Sequence, residues 1–207
     1  MRHAGMAATA VRYLRSVGAA TTAGPAPVDP LPRPDLRAVA DDERLPVDPA
    51  EFRRVLGHFA SGVTVVTAHD PDDPDGPAGF ACQSFASLSL DPPLVTFMVA
   101  RTSTTWPRIA RAGSFCVNVL GAHQGDLCRG FAVSGADKFA GVVHDAAPVS
   151  GSPRLAGAAA WIDCTIHAVH TGGDHLIVVG RVDALGTSGD GDEDVPPLLF
   201  HKGRFLT

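Results

Sequence analysis

The segment Gly79–Pro93 combines an apolar, strand-like composition with a high density of small side chains and hydroxyl groups. Buried strands usually favour Val and Ile, whereas this segment is rich in Gly, Ala and Ser and carries one long amide, Gln83. Such side chains leave the backbone accessible, so a flat molecule could lie against it and bond its edge to N–H groups, hydroxyls and the amide. The composition is also compatible with a strand and turn packed beneath a loop, and both interpretations stay open here.

Motifs for several common kinds of site are missing from the sequence. It contains no Gly-x-Gly-x-x-Gly after a predicted strand, no Gly-x-x-x-x-Gly-Lys loop, no His-Glu-x-x-His and no Gly-x-Ser-x-Gly. His167 and His170 are three residues apart on a predicted strand, so their side chains point to opposite faces and no metal site is expected. With neither a nucleophile nor a metal centre indicated, a cofactor is expected to supply the chemistry.

Composition narrows the possible partners and the compartment. The 207-residue chain has a net charge of −5 and no dense cluster of Lys and Arg, which argues against a nucleic-acid partner. No apolar run is long enough to cross a bilayer, and no secretory signal is apparent. Three of the four scattered cysteines lie in apolar, strand-like runs, which indicates buried free thiols. A cytoplasmic protein that binds no membrane is therefore predicted.

The chain divides into a proline-rich extension, residues 1–46, and a folded domain, residues 47–207. Dense proline favours extended chain, so the extension is predicted to be flexible. The domain opens with a helix start, because Asp48 can cap the helix and Pro49 suits its first position. Apolar residues spaced as one helical stripe follow, namely Phe52, Val55, Leu56 and Phe59.

Strands are predicted to outnumber helices in the rest of the domain. The predicted strands are Val63–Thr67, a partner strand within Gly79–Pro93, Leu94–Ala100, Ser114–Leu120, Trp161–Val169, His175–Leu185 and Leu198–Leu206. The other predicted elements are short helices at Trp106–Arg111 and His123–Ala132, an irregular segment Val133–Ala158 and an acidic loop Gly186–Pro197. This pattern argues for a mainly β, antiparallel barrel or sandwich with a few short peripheral helices.

Five segments, taken in order, resemble the short-chain flavin reductases. They are Phe52–Thr67, Gly79–Val95, Gly113–Leu120, Gly173–His175 and Pro197–Phe200. The resemblance implies an antiparallel split β-barrel, the FMN-binding split barrel, usually assembled as a homodimer. It also implies that the protein binds FMN or FAD, reduces it with NADH or NADPH, and supplies reduced flavin to a separate monooxygenase.

The resemblance assigns flavin contacts to three parts of the chain. The positions that match the wall along the isoalloxazine and ribityl groups are Ala81, Cys82, Gln83, Ser84, Phe85, Ser87 and Leu88. The positions that match the phosphate-binding turn are Thr102, Ser103 and Thr104. The positions where the family's chain approaches the flavin again are Phe131 and Ala132. Hydroxyls and free amides at a helix start suit an anion, although the same hydroxyls could simply cap that helix.

The resemblance also implies a nicotinamide site. His175 matches a histidine that the family places beside the nicotinamide, where an imidazole could hold the carboxamide or help protonate the flavin. The positions that match a C-terminal segment, where a positive side chain could meet the nucleotide's phosphates, are Lys202, Gly203, Arg204 and Phe205. The alternatives are a solvated, idle histidine and a pair of surface charges.

The chain departs from its relatives within the flavin wall. Family members commonly have Thr-Ala-Asn-Ser where this chain has Ala81-Cys82-Gln83-Ser84, and often Tyr at the position of Phe205. These changes could alter the affinity for flavin or the preference between FMN and FAD. A non-catalytic flavin-binding protein, for storage or redox sensing, is the main alternative function, because a binder needs no nicotinamide site. A third possibility is an enzyme that keeps its flavin and reduces a bound substrate itself.

Overall fold

A computed structural model describes residues 47–135, 137–187 and 195–206 of the chain. The predicted extension, residues 1–46, lies outside the described residues, as does most of the predicted acidic loop. Within the described residues, no helix is long and apolar enough to span a membrane.

Three short α-helices and twelve strands make up the described chain. The helices are α1 (Pro49–Leu56), α2 (Trp106–Ala112) and α3 (Gly125–Ala132), the last preceded by a 3₁₀ turn at Ala122–Gln124. The first six strands are β1 (Ser61–Gly62), β2 (Thr64–Ala68), β3 (Ala78–Cys82), β4 (Ala86–Leu90), β5 (Pro93–Ala100) and β6 (Ser114–Val119). The others are β7 (His144–Ala146), β8 (Pro153–Leu155), β9 (Ala160–Gly172), β10 (His175–Thr187), β11 (Leu199–His201) and β12 (Arg204–Leu206).

Seven of these strands form one antiparallel sheet in the order β3-β2-β6-β9-β10-β5-β4. Its two outer strands, β3 and β4, are consecutive in the chain and separated only by residues 83–85. The sheet must therefore curl until its two edges approach each other, which closes a barrel that remains split between β3 and β4. The predicted mainly β, antiparallel split barrel with short peripheral helices is confirmed.

Aromatic side chains fill the interior of the curled sheet. The rings of Phe97 and Phe115 are both fully buried and meet edge to face with centroids 5.2 Å apart. A Cβ atom on Gly180 would lie 2.4 Å from Cζ of Phe115, so only glycine fits where β10 passes this ring. All four cysteines are buried and free, as the sequence predicts.

Three predicted segments are subdivided in the structure. Gly79–Pro93 is two strands joined by a bend, because the chain leaves one edge of the sheet at Cys82 and joins the opposite edge at Ala86. The predicted irregular segment contains the small β7–β8 hairpin. The predicted last strand is a hairpin, β11–β12, whose turn holds Lys202 and Gly203 at φ values of 48° and 79°.

Helix α1 begins as predicted, since the Asp48 carboxylate accepts a hydrogen bond from the N–H of Glu51 at 3.3 Å. Its apolar stripe, however, is not covered within the described chain, where the helix has no buried residue. Phe52, Leu56 and Phe59 are 55%, 54% and 81% exposed. The end of α1 meets the C-terminal hairpin through a hydrogen bond from the N–H of Lys202 to the carbonyl of Gly57, 2.9 Å long.

Candidate active site

A cavity of about 540 Å³ lies beside the end of β3 and the bend that follows it, and we call it the first cavity. Five parts of the chain contribute to it: the end of β3 with the bend after it, the end of β5 with the turn after it, the end of α3, the segment that follows α3, and the start of β10. The predicted site residues that line it are Ala81, Cys82, Gln83, Ser84, Thr102, Ser103, Thr104, Phe131, Ala132 and His175. Positions far apart in the sequence therefore converge on one concave surface, as ligand sites usually require.

The bend at residues 83–85 is fixed to the neighbouring strand by Ser84. The Ser84 hydroxyl accepts a hydrogen bond from the N–H of Met98 at 2.8 Å and donates one to the Met98 carbonyl at 3.1 Å. The β3 pairs end at Cys82 and the β4 pairs resume at Ala86, so the amides of the bend lie outside the sheet ladder. Ser84 thus fixes the position of this bend at the cavity wall, where the backbone amides are not paired with another strand.

Cys82 lines the cavity but is unsuited to nucleophilic chemistry. The residue is 4% exposed, and its burial raises the pKa of the thiol. The thiolate is the reactive form of cysteine, so Cys82 stays a neutral, packed side chain at neutral pH.

The turn between β5 and α2 supplies hydroxyl groups. The Ser103 hydroxyl accepts a hydrogen bond from the N–H of Trp106 at 3.2 Å, so it satisfies the first amide of α2, whose N-cap residue, Thr105, makes no side-chain capping bond. Within the described residues, the hydroxyls of Thr102 and Thr104 have no hydrogen-bond partner. The two interpretations of the turn are therefore compatible, because one hydroxyl caps the helix while two remain for a ligand.

His175 begins β10 directly opposite Ala100, the last residue of β5. A two-residue turn, Gly173-Asp174, precedes it, and Gly173 adopts a φ of 68° that glycine accepts readily. The Asp174 carboxylate lies 2.8 Å from Nδ1 of His175, and this hydrogen bond lowers the pKa of Asp174. Because Nδ1 is engaged, the other ring nitrogen, Nε2, is the one left for a ligand.

Lys138 is a lining residue that the sequence reasoning did not select. Its Nζ donates to two backbone carbonyls, those of Gly79 on β3 and Phe131 on α3, each at 3.1 Å. Desolvation by burial lowers the pKa of the lysine. The two walls that it joins are in close contact, since a Cβ atom on Gly79 would lie 2.8 Å from Cε1 of Phe131.

Other lining residues were also not selected from the sequence: Phe80, Met98, Val99, Ala100, Thr105 and Ser134. Most of these adjoin predicted site residues in the chain, so an extension of each motif by one or two positions would have found them. Lys138 had a separate signal, because it is one of only two lysines in the chain and lies in an otherwise irregular segment.

Several predicted site residues do not reach the first cavity within the described chain. Phe85 packs instead against the larger of two apolar clusters, the one that contains Phe97 and Phe115. Ser87 and Leu88 are exposed on the edge strand β4. Lys202, Gly203 and Arg204 lie in the exposed C-terminal hairpin, which belongs to a separate three-stranded sheet, β1-β11-β12, and they line neither cavity. Phe205 packs against a second apolar cluster, where the Arg129 guanidinium lies 5.2 Å from its ring centroid.

A second cavity, of about 530 Å³, adjoins the first and shares Thr104, Thr105 and Lys138 with it. The two cavities differ in charge. No Asp or Glu of the described residues lines the first cavity, whereas Asp75 and Asp137 line the second. The first cavity therefore suits a ligand that carries negative charge or develops it during a reaction.

These features fit a flavin. Bare backbone at residues 81–84 offers a surface for a flat ring, the threonine hydroxyls offer donors to a phosphate, and Lys138 offers a positive charge. Residues 56–207 match the family model described as a flavin reductase like domain, and the chain belongs to that family.

Proteins that are similar to this chain are named as flavin reductases or as related oxidoreductases. The chain is 48% identical over 160 residues to the reductase subunit HsaB of a flavin-dependent monooxygenase from Rhodococcus jostii, and the alignment covers 77% of each protein. It is 45% identical over 169 residues to a flavin reductase from Pseudomonas putida, which covers 82% of this chain and 95% of the relative. The solved NADH:FAD oxidoreductase of Streptomyces globisporus, in complex with NAD and FAD fragments, superimposes with a TM-score of 0.70 at 36% identity, over 83% of this chain and 96% of that one.

Proposed function

We propose that the protein is an NAD(P)H:flavin oxidoreductase that reduces FMN or FAD and supplies the reduced flavin to a separate flavin-dependent monooxygenase. The observation that carries this proposal is the convergence of backbone, hydroxyls, one lysine and one histidine on a cavity without carboxylates. Membership of the flavin reductase-like family supports the same activity. The name of the Rhodococcus relative, a reductase subunit of a monooxygenase, supports the role of the partner enzyme.

The chain's own residues bind and orient rather than react. The flavin, when bound, supplies the redox chemistry by taking up a hydride from NADH or NADPH. The backbone of residues 81–84 would hold the flat ring, and Ser84 keeps that backbone in place. Preorganised N–H donors stabilise negative charge that develops on a ring without any reorganisation at the moment of reaction.

His175 is the proposed catalytic residue. Asp174 bonds one imidazole nitrogen, which leaves Nε2 to bind the carboxamide of the nicotinamide or to donate a proton. Stacking of two flat substrates at one open site shortens the distance over which the hydride moves. An open site also lets reduced flavin leave for another enzyme.

The second candidate function is a flavin-binding protein for storage or redox sensing. The position of His175 favours the reductase, because an imidazole at the cavity mouth serves a nicotinamide but is not needed by a binder. Lys202 and Arg204 do not help to choose between the two functions, since they lie outside both cavities.

We also infer a homodimer that uses the apolar face of α1. Phe52, Val55, Leu56 and Phe59 are each at least half exposed in the single chain, and such a patch is costly to leave in water. A second copy that covers it would bury the stripe. The four buried free thiols support a cytoplasmic location, which stays a prediction.

The proposal is tested by anaerobic oxidation of NADH and of NADPH with FMN, FAD and riboflavin in turn. A reductase oxidises at least one nicotinamide nucleotide in proportion to the flavin added. Failure to oxidise either nucleotide with any flavin, in protein shown to bind flavin, would leave the storage or sensing role. Flavin that stays with the protein through turnover after rapid dilution would contradict transfer of free reduced flavin.

A further inference from the structure

Two carboxylates line the second cavity without a cationic partner among the described residues. Asp75 lies in the loop between β2 and β3, and Asp137 lies in the segment after α3. Both residues are exposed, and neither forms an ion pair with another part of the described chain. The Asp137 carboxylate accepts one hydrogen bond, from the N–H of Phe139 at 3.1 Å, which brings no net charge. The second cavity therefore presents two unpaired negative charges.

The two cations that line the second cavity are bonded to other groups of the protein. Nε of Arg108 lies 2.8 Å from the Asp73 carboxylate, and one Nη atom donates to the Gly76 carbonyl at 2.9 Å. Nζ of Lys138 donates to two backbone carbonyls at the boundary with the first cavity. The positive charge of the second cavity is therefore paired or lies at its boundary, whereas its negative charge is unpaired.

The place where the two cavities join indicates which part of a flavin nucleotide would meet those carboxylates. Thr104, Thr105 and Lys138 line both cavities, and Thr104 belongs to the turn that is expected to bind the flavin phosphate. FMN ends at this phosphate, whereas FAD continues with a second phosphate and an adenosine. A flavin whose ring occupies the first cavity would therefore extend toward the second cavity only if it is FAD.

Charge, and not lack of room, distinguishes the two flavins at this junction. The second cavity has a volume of about 530 Å³, which is within the range of pockets that hold small ligands. A second phosphate placed there adds a negative charge beside the two carboxylates. At a separation of about 5 Å in water, one pair of like unit charges weakens binding about fourfold. Two such pairs are enough to set a preference between ligands that share the same ring.

We propose that Asp75 and Asp137 make the protein select FMN over FAD, because their carboxylates repel the second phosphate of FAD. The proposal rests on the proposed flavin reductase function and names the flavin that the site accepts. The competing role is attraction, in which the two carboxylates accept hydrogen bonds from the ribose hydroxyls of the adenosine and so favour FAD. The two roles predict opposite effects when the charges are removed.

The experiment titrates FMN and FAD into the full-length protein, into Asp75→Asn, into Asp137→Asn and into the double variant by isothermal titration calorimetry. The measured quantity is the Kd of FAD divided by the Kd of FMN. We expect this ratio to exceed one in the unmodified protein, to fall about threefold in each single variant and about tenfold in the double variant. Asparagine keeps the size of each side chain and one oxygen acceptor, so the change reports the charge.

Asp72→Asn and Asp126→Asn are the matched controls. Asp72 lies in the same loop as Asp75, and Asp126 lies on helix α3. Both are exposed, and neither lines a cavity. Each control removes one negative charge from the protein and should leave the ratio unchanged. Added salt should lower the ratio in the unmodified protein, because screening weakens the repulsion, and should have less effect on the double variant.

A ratio that rises when the carboxylates are removed would overturn the proposal in favour of attraction, and an unchanged ratio would leave the carboxylates without a part in selection. A fall of the same size in Asp72→Asn would assign the effect to the overall charge of the protein. If the variants do not fold, the unmodified protein still decides, since FAD affinity equal to or above FMN affinity at low salt would contradict the proposal. These results concern selection alone, whereas binding of neither flavin would overturn the proposed function as well.

Discussion

The wall of the first cavity and the apolar face of α1 are both marked by small or apolar residues, yet within the described residues only the wall is packed against other elements. The wall is built on strands of the main sheet, and Ser84 fastens its bend to β5 through two hydrogen bonds. Helix α1 has eight residues and not one of them is buried. A helix this short is marginal in water without packing of its apolar side.

The difference separates a wall that is held by its own sheet from a helix whose apolar side is uncovered within the described residues. A sheet satisfies its backbone through neighbouring strands, so the cavity wall keeps its shape in one copy. A short amphipathic helix depends for its stability mainly on the element that packs against its apolar stripe. We therefore expect substitutions at the wall to affect folding and flavin chemistry directly, and substitutions on α1 to act through assembly.

The largest effect is expected where the cavity walls touch. Gly79→Ala places a Cβ atom against the Phe131 ring and should reduce the free energy of unfolding by about 2 kcal/mol through overpacking. Gly130→Ala is the matched control, because it lies in the same helix as Phe131 with open space around it and should stabilise by about 0.4–1 kcal/mol. Chemical denaturation measures both variants. A similar change in the free energy of unfolding for the two variants would contradict the close packing of α3 on β3.

The next effect concerns the chemistry at the wall. His175→Ala should lower kcat/KM for the nicotinamide nucleotide about tenfold, which corresponds to about 1.4 kcal/mol, because one hydrogen bond or proton donor is lost. Flavin affinity should stay nearly unchanged. Stopped-flow reduction and flavin titration measure these two quantities separately. An unchanged rate and nicotinamide affinity would make His175 a solvated side chain with no part in the reaction.

A smaller effect is expected on α1. Leu56→Ala should weaken self-association by about 1 kcal/mol while leaving the fold of the barrel intact, since the residue is 54% exposed in the single chain. Val149→Ala removes another exposed apolar side chain, 62% exposed, from a loop away from α1 and serves as the control. Sedimentation equilibrium measures the association constant. Equal association of both variants and the unmodified protein would remove α1 from the interface.

The smallest expected effect is a change in Tm, and the prediction compares an ion pair near the cavities with one on α1. Asp73 is 4% exposed in its side chain and accepts a hydrogen bond from Arg108, which lowers the pKa of the carboxyl group below its usual value. A lowered folded-state pKa stabilises the protein above the unfolded-state pKa, near 4, and this contribution is lost as the pH falls through the folded-state pKa. Asp73→Asn should therefore lower Tm at pH 7 and converge with the unmodified protein in acid.

The control for this comparison is Glu51→Gln on α1. Glu51 pairs with Arg54, but both side chains are at least half exposed, so the pair is screened by water and contributes little. Thermal unfolding from pH 3 to pH 7 should show a clear pH-dependent difference for Asp73→Asn and almost none for Glu51→Gln. Equal curves for the two variants would mean that the Arg108 pair adds no more stability than a surface pair.

Much of this arrangement could be predicted from the sequence, because local rules act within short segments. The Asp48 cap, the turn before His175 and the strand composition of residues 63–67 each follow from residue type and spacing. The order of motifs then predicted the fold and most of the cavity wall. The sequence did not predict the division of Gly79–Pro93 into two strands, since the break depends on how far the sheet curls.

The residues that were not selected from the sequence, and those that lie outside the first cavity, depend on long-range contacts. Lys138 reaches the site through carbonyls 59 and 7 residues away in the chain, and no local pattern encodes such bonds. Phe205 and Lys202 matched a motif, but the C-terminal hairpin packs against α1 and the second apolar cluster instead of the first cavity. Leu88 belongs to a segment whose composition is typical of a cavity wall, but it lies exposed on the edge strand β4.

One titration tests most directly the central claim that the first cavity is the flavin site. Ala132 is exposed and lines the first cavity, whereas its neighbour Val133 is exposed and lines neither cavity. FMN is titrated into Ala132→Trp and Val133→Trp and followed by fluorescence. A tryptophan at position 132 should fill part of the cavity and abolish or greatly weaken FMN binding, while one at position 133 should leave it unchanged. FMN affinity in Ala132→Trp equal to that of the unmodified protein would contradict the assignment of the flavin to this cavity.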